Sequence, residues 1–275
     1  MEDPRVEPTG DVFGRAPVEA PGVAQDAAAA VYAETCAARV ADLGPPVTGV
    51  PGLHGVRSAQ DPASVRLLVV DDRALDGLVD LLSSVRTGRI AVFEQAARCA
   101  EAVEDRLGWT SAMTTSMALP HLAARPVNAL PRGLALRAVD EHVEDPRDGV
   151  SMEQAVDVAA LADSTGVGNP DVLIRDLRAS MPAFRFFVVV DADGVPRATS
   201  GVGVFGSRAV VIFVNTDPGW RRRGLGRAMT AVAIADARAR GAVTACLDAS
   251  GSGLSIYQQL GFGVVAHNRR FSRST

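Results

Sequence analysis

Between Trp220 and Met229 the chain reads WRRRGLGRAM, four arginines around two glycines where a strand-like run gives way to a helix-like one. Two chemistries suit such a cluster. Arginines in a row can grip the phosphates of a nucleic acid, or can simply hold solvent at a surface. Glycines at a helix start offer something different, because without Cβ atoms they let a ligand come against the main chain. The free N–H groups of the first turn and the positive end of the helix dipole then face one spot. A pyrophosphate fits there, with arginine adding charge at its rim. Alone, R-x-x-G-x-G is a weak signal, since a helix start with surface arginines looks the same. Rossmann and P-loop readings fail on detail. No G-x-G-x-x-G follows the first strand, and no GK[ST] can occur, because all 28 basic residues are arginine.

One helix and one strand downstream lies ASGSGLSIYQQLGF, residues 249–262. Together the two segments resemble the acetyl-CoA-binding signature of the GNAT superfamily of acyltransferases. Arg221-Arg222-Arg223-Gly224-Leu225-Gly226 stands for the R/Q-x-x-G-x-G/A that opens the helix after the family's fourth strand. Tyr257-Gln258-Gln259-Leu260-Gly261-Phe262 stands for its later Y-x-x-L-G-F. The preceding VNTDPGW matches the family's strand-to-turn lead-in, with Pro218 and Trp220 in place. The resemblance runs from about residue 133 to the C-terminus. It departs at Ser250 and Gly253, where the family often has Asn and Ala; a serine can still donate a hydrogen bond.

The resemblance implies an N-acetyltransferase that moves an acetyl group from acetyl-CoA to a primary amine by direct attack in a ternary complex. It implies a cosubstrate cradle of Arg221, Arg222, Arg223, Gly224, Leu225, Gly226 and Arg227, with Ser250 contributed by the second segment. Val214, Asn215 and Thr216 would lie beside the acyl arm, where a backbone N–H polarises the carbonyl. Tyr257 would serve the departing sulfur. The general base stays open. Asp217 follows the strand but reads as a turn cap; His142, His267 and Asp248 depend on what the fold brings together. An ordered water, or an amine that arrives neutral, would also serve. A non-catalytic acyl-CoA sensor or scaffold is the alternative, and would need the glycines without the tyrosine. Tyr257 favours the enzyme. The expected partner is an amine-bearing acceptor of open identity; a homodimer is neither required nor excluded. No metal is expected, since Cys36, Cys99 and Cys246 are far apart and no Cys/His cluster has zinc spacing.

These residues need a scaffold, and the chain alternates strand and helix patterns throughout. Residues 1–22, rich in Pro, Gly and acid, read as a mobile tail. A helix pattern follows over 24–43, then Pro51, Gly52, Gly55 and Pro62 mark an irregular connection. The first block has strands at VRLLVV, RIAVF and TSAMTTSMAL. Its first helix carries Leu75, Leu78, Val79 and Leu82 on one face. It has no glycine-rich turn. Its helix start at VFEQAARCA, at the position corresponding to the arginine–glycine turn, opens with Glu94, whose carboxylate would repel pyrophosphate. Pro120, Pro126 and Pro131 punctuate a boundary. A second block follows, with strands at GLALRAVD, on either side of Asp191–Gly194, at RAVVIFVNT, AVTACLDAS and FGVVAHNRRF. The expectation is a GNAT-like mixed, mostly antiparallel sheet flanked by helices over 131–275. A smaller, degenerate GNAT-like α/β domain with an N-terminal helix, 23–130, precedes it.

Net charge is −4 and the pI about 5.6. With few aromatics to stack on bases, that argues against a nucleic-acid partner. No apolar run reaches membrane-spanning length, and the acidic start is unlike a signal peptide. A reduced, cytoplasmic setting is the expectation.

Overall fold

The computed structural model describes residues 32, 35, 44–59, 61–122, 130–139, 150–162, 174 and 183–273. The expected tail over 1–22, most of the helix over 24–43, Pro126 and His142 lie outside them. Among the described residues ten strands and five α-helices have defined bounds, in chain order. The first half holds β1 (Leu53–Arg57), β2 (Ser64–Val69), α1 (Leu75–Leu82), β3 (Thr87–Phe93), α2 (Ala97–Leu107) and β4 (Thr110–Leu119). The second holds β5 (Ala135–Ala138), α3 (Met152–Ala162), β6 (Phe184–Val190), β7 (Pro196–Phe205) and β8 (Arg208–Thr216). It ends with α4 (Leu225–Ala239), β9 (Thr244–Ala249), α5 (Leu254–Gln259) and β10 (Gly263–Arg273).

All ten strands form one sheet in the order β1-β2-β3-β10-β4-β9-β8-β7-β6-β5. Pairing is antiparallel except for β2–β3 and β8–β9, each joined through a helix. The mixed, mostly antiparallel sheet with flanking helices and a preceding α/β segment is therefore present. Its centre departs from a simple tandem layout. β10, the last strand of the second half, lies between β3 and β4 of the first. β4 in turn lies against β9 of the second. The two halves exchange their final strands.

That order also moves one correspondence. β1, β2, α1, β3, α2 and β4 match β7, β8, α4, β9, α5 and β10 in sequence and in pairing. The counterpart of the arginine–glycine turn is thus the β2-to-α1 turn at Asp71–Ala74, not the helix start at Glu94. The reason is topological: the turn that matters follows the first member of the parallel pair.

The local chemistry explains most of these elements. In α1, Leu78 and Leu82 bury the predicted stripe beneath β2 and β3. α4 buries more than a stripe, with Leu225, every residue from Ala228 to Ile234, and Ala237 covered, because its alanines let the sheet approach closely. It stops at Gly241, whose φ of 89° suits a left-handed cap. β1 is hidden in the sequence because its punctuation is misleading. Gly55 sits within a strand, at φ 149°, where a Cβ would collide with the Arg66 carbonyl of β2. The glycine marks a close strand crossing rather than a loop.

Side-chain alternation sorts the core by face. Met117, Leu119, Leu247 and Ala249 pack under α4 and α5. Cys246, Val210, Ile212 and Phe213 point to the opposite face, where Met152, Ala155 and Val156 of α3 cover them. Among the described residues no helix is long and apolar enough to cross a membrane.

Candidate active site

β8 is the strand on which the site is built. It pairs with β9 only over Arg208↔Thr244, Ala209↔Ala245 and Val210↔Cys246. Beyond Val210 the two strands part, although β8 continues to Thr216 and β9 to Ala249. The result is a notch between two strand ends. On its other edge β8 carries a bulge. Thr199↔Asn215 and Gly201↔Ile212 are in register, so Phe213 and Val214 together oppose Ser200. Phe213 takes φ 58°, rare for a residue with a side chain and typical of strained functional positions. The kink is held from below. Thr199 donates its hydroxyl to the Phe213 carbonyl at 2.9 Å, and Asn215 Nδ2 donates to Thr199 Oγ1 at 3.4 Å. Val214 and Thr216 thus stand along the notch, while the Asn215 side chain is buried as a brace.

The chain leaves β8 through a single 3-10 turn, Pro218–Trp220. Asp217 caps it, its Oδ1 accepting from the Gly219 amide at 2.8 Å and its Oδ2 from Arg197 Nη1 at 2.8 Å. A carboxylate occupied at both oxygens is a fastening, which removes Asp217 as a base. The Arg197 and Arg223 guanidinium carbons lie 5.2 and 4.5 Å from the Trp220 ring centroid, fixing the turn by cation–π contact. Arg221 reaches back to the Thr216 carbonyl at 3.4 Å.

Two left-handed residues, Arg222 at φ 61° and Gly224 at φ 80°, then reverse the chain into α4. No side chain caps the first-turn amides of this 15-residue helix. A Cβ on Gly224 would meet nothing within 4 Å, so the approach to those amides is open. Such a bare N-terminus fits a pyrophosphate. The second glycine serves packing instead. A Cβ on Gly226 would lie 3.3 Å from Ile256 Cδ1, so this glycine lets α4 meet α5. Leu225 turns inward onto Val189, Ala198 and Met229, leaving only its main chain for a ligand. Arg221, Arg222, Arg223 and Arg227 are exposed around the mouth.

Tyr257 packs on the α5 side of the notch, in one apolar cluster with Val214, Leu247 and Ala249. It is 8% exposed, and burial pushes its phenol up to about 12. Across the ordinary pH range it therefore keeps its proton. The Gly253 departure has a physical reason: a Cβ there would lie 2.9 Å from Tyr257 Cε2, so alanine would displace the ring. Ser250 is exposed, its Oγ 3.2 Å from that of Ser252. His267 lies apart, on β10, with Nδ1 3.0 Å from Thr115 Oγ1. Asp248 sits on β9, on the face opposite Tyr257. Phe213 is the residue that sequence reasoning missed, because its apolar run carries no sign of a bulge.

Residues 159–262 match the acetyltransferase (GNAT) family. Across 90% of this chain and 96% of its own, a GCN5-related N-acetyltransferase from Kribbella flavida superposes with a TM-score of 0.59 at 20% identity. A GCN5-related N-acetyltransferase from Sphaerobacter thermophilus does so with a TM-score of 0.53 at 13% identity, over 80% of this chain and 76% of that one. The fold is that of the GNAT superfamily. A tandem GNAT protein from the clavulanic acid biosynthesis pathway is also similar, with a TM-score of 0.51 at 15% identity over 90% of this chain and 95% of that one. No curated protein matches the sequence. Acyl-CoA binding is general to the GNAT fold. Among the described residues no cluster of His, Cys, Asp and Glu could hold a metal ion.

Proposed function

We propose that the protein is an N-acetyltransferase that transfers the acetyl group of acetyl-CoA to a primary amine by direct attack in a ternary complex. The observation that carries this reading is the parting of β8 from β9 beside an uncapped, glycine-opened helix start. Acetyl-CoA supplies an activated acyl carbonyl. The start of α4, with Arg221, Arg222, Arg223 and Arg227 around it, binds the anionic end. Main-chain groups of Val214 to Thr216 on the edge that no longer pairs with β9 orient the acyl arm and stabilise the oxyanion. Tyr257, protonated because it is buried, donates to the leaving sulfur. The same tyrosine favours an enzyme over a sensor, since binding alone has no use for a proton donor. A degenerate first domain over 23–130 and a working domain over 131–275 belong to the same reading, as does a cytoplasmic setting.

The test is acetyl-CoA turnover against a panel of polyamines, amino acids, aminoglycosides and peptide N-termini, read by thiol release. Turnover of at least one amine, well above hydrolysis, is expected. CoA binding without turnover of any amine would favour the sensor.

A further inference from the structure

Arg197, at the start of β7, divides its side chain between two neighbours. Its Nε and Nη2 reach Asp191 Oδ2 at 2.8 and 2.7 Å, and its Nη1 reaches Asp217 Oδ2 at 2.8 Å. Asp191 opens the β6–β7 turn, where its Oδ1 accepts the Asp193 and Val195 amides at 3.0 and 2.9 Å. Asp217 caps the turn that leads towards α4. The main chain repeats that second link, since the Asp217 amide donates to the Arg197 carbonyl at 2.9 Å. The side chains of Arg197, Asp191 and Asp217 keep only 24%, 10% and 14% of their surface, so solvent screens these pairs less than an open surface pair.

An arginine that only secured the hairpin would be satisfied by Asp191. The other half of the fork goes to the turn, and the β2-to-α1 turn shows why. There Asp71 is gripped by Arg73 of the same turn, at 2.6 Å. The matching place after Asp217 holds Gly219, and the gripping arginine comes from β7 instead. Moving the grip off the turn leaves its own arginines for other work. The hold also extends downstream. The Arg197 and Arg223 guanidiniums both lie against the Trp220 ring, and Arg223 immediately precedes Gly224. Between them Arg222 keeps φ 61°, which a residue with a side chain adopts only where its surroundings impose it. What fixes Asp217 and Trp220 therefore fixes the entry to α4.

Building on acyl-CoA binding at the start of α4, we propose that Arg197 is a positioning residue for the cosubstrate. It sets the Asp217–Gly224 turn in its phosphate-receiving shape before the ligand arrives, and touches none of the reacting atoms. Preorganisation of this kind lowers the cost of binding. The phosphates are held alike in the ground state and the transition state, so losing Arg197 falls on KM rather than on kcat.

The experiment compares the full-length parent with Arg197→Met, Arg197→Lys, Asp217→Asn and the double variant Arg197→Met/Asp217→Asn. CoA affinity is read by calorimetry. KM for acetyl-CoA and kcat are read by thiol release, with the amine that the parent acetylates fastest. Arg197→Met should raise Kd and KM about tenfold or more while kcat stays within about twofold. Arg197→Lys keeps the charge but replaces a planar fork by one ammonium, so it should recover part of the affinity. Asp217→Asn should weaken CoA in the same direction. The double variant should lose less than the product of the two single losses, because both cut one link. Arg73→Met, which removes the matching grip in the β2-to-α1 turn, should bind CoA like the parent. Parental CoA affinity in Arg197→Met, or a fall in kcat as large as the rise in Kd, would overturn the assignment. Should Arg197→Met not fold, parental affinity in both Arg197→Lys and Asp217→Asn would overturn it equally. A parent that binds CoA but acetylates no amine would overturn the acetyltransferase reading alone, and calorimetry would still decide Arg197. A parent that binds no CoA would overturn both.

Discussion

The β2-α1-β3 unit and the β8-α4-β9 unit begin alike and end differently. Each strand runs into a single 3-10 turn capped by an aspartate that accepts the amide two residues on, Arg73 by Asp71 and Gly219 by Asp217. Each aspartate also grips an arginine, Arg73 in one and Arg197 in the other. In the first unit the turn passes straight into α1, and Asp72 accepts from the Cys99 amide at 3.1 Å. In the second, Arg221 to Gly224 separate the turn from the helix, and α4 starts afresh with bare amides. The strands differ as well. β2 and β3 remain in register from Ser64↔Thr87 to Val69↔Val92, whereas β8 and β9 part after Val210. One unit closes its polar groups on itself; the other leaves them facing one open place. Four extra residues and an unzipped strand pair thus turn a closed unit into an open one on the same architecture.

The sharpest way to break the comparison is to cut the chain between its halves. β10 has both neighbours in the first half, and β4 has β9 as a neighbour in the second. A fragment 131–275 would keep β10 with no strand beside it, and a fragment 1–130 would leave β4 exposed on both edges. Neither should show a cooperative thermal transition alone, and the two co-expressed should recover one. A cooperative, CoA-binding 131–275 fragment would mean that the exchange is incidental to stability.

Gly224→Val attacks the open end directly. Valine resists φ near 80° and would project into the space that a ligand needs. The parent, with CoA at a hundredfold excess over Kd, should gain about 2.7 kcal/mol of stability. The variant should gain none of it. Calorimetry should give one CoA per chain, and two equivalent sites would erase the contrast between the units. Tyr257→Phe keeps the ring and removes the phenol hydroxyl. It should lower kcat by roughly 10²-fold where chemistry limits turnover, with CoA affinity unchanged.

Much of the fold is legible in local pattern. Leu75, Leu78, Val79 and Leu82 announce α1, and Asp191–Gly194 announces the hairpin between β6 and β7. Asp217-Pro218-Gly219 reads correctly as a capped turn. Partner choice is not legible. Nothing in GVVAHNRRF distinguishes a strand lying beside β9 from one lying between β3 and β4, because that choice depends on which edges the rest of the chain leaves open. The candidate site divides in the same way. Gly224, Gly226 and Tyr257 stand out by spacing and residue type. The Phe213 bulge does not, since it arises from the register of β8 against β7.

The smallest expected effect tests whether the closed unit is merely structural. Asp71 caps the turn before α1, and the Arg73 side chain bonded to it holds its carboxyl below the usual range. Asp71→Ala should therefore cost about 1 kcal/mol, the ordinary worth of such a cap. Because the carboxyl's folded value is lowered, its contribution is complete above the unfolded value near 4 and is lost as pH falls through the folded one. Denaturant melts at pH 7 and pH 2.5 should show the difference between parent and variant narrowing at the lower pH. CoA affinity should not change, because the open end of α4 lies in the other unit. A variant that lost CoA binding would show that the first unit shapes the cradle, and the two halves would have to be treated as one site.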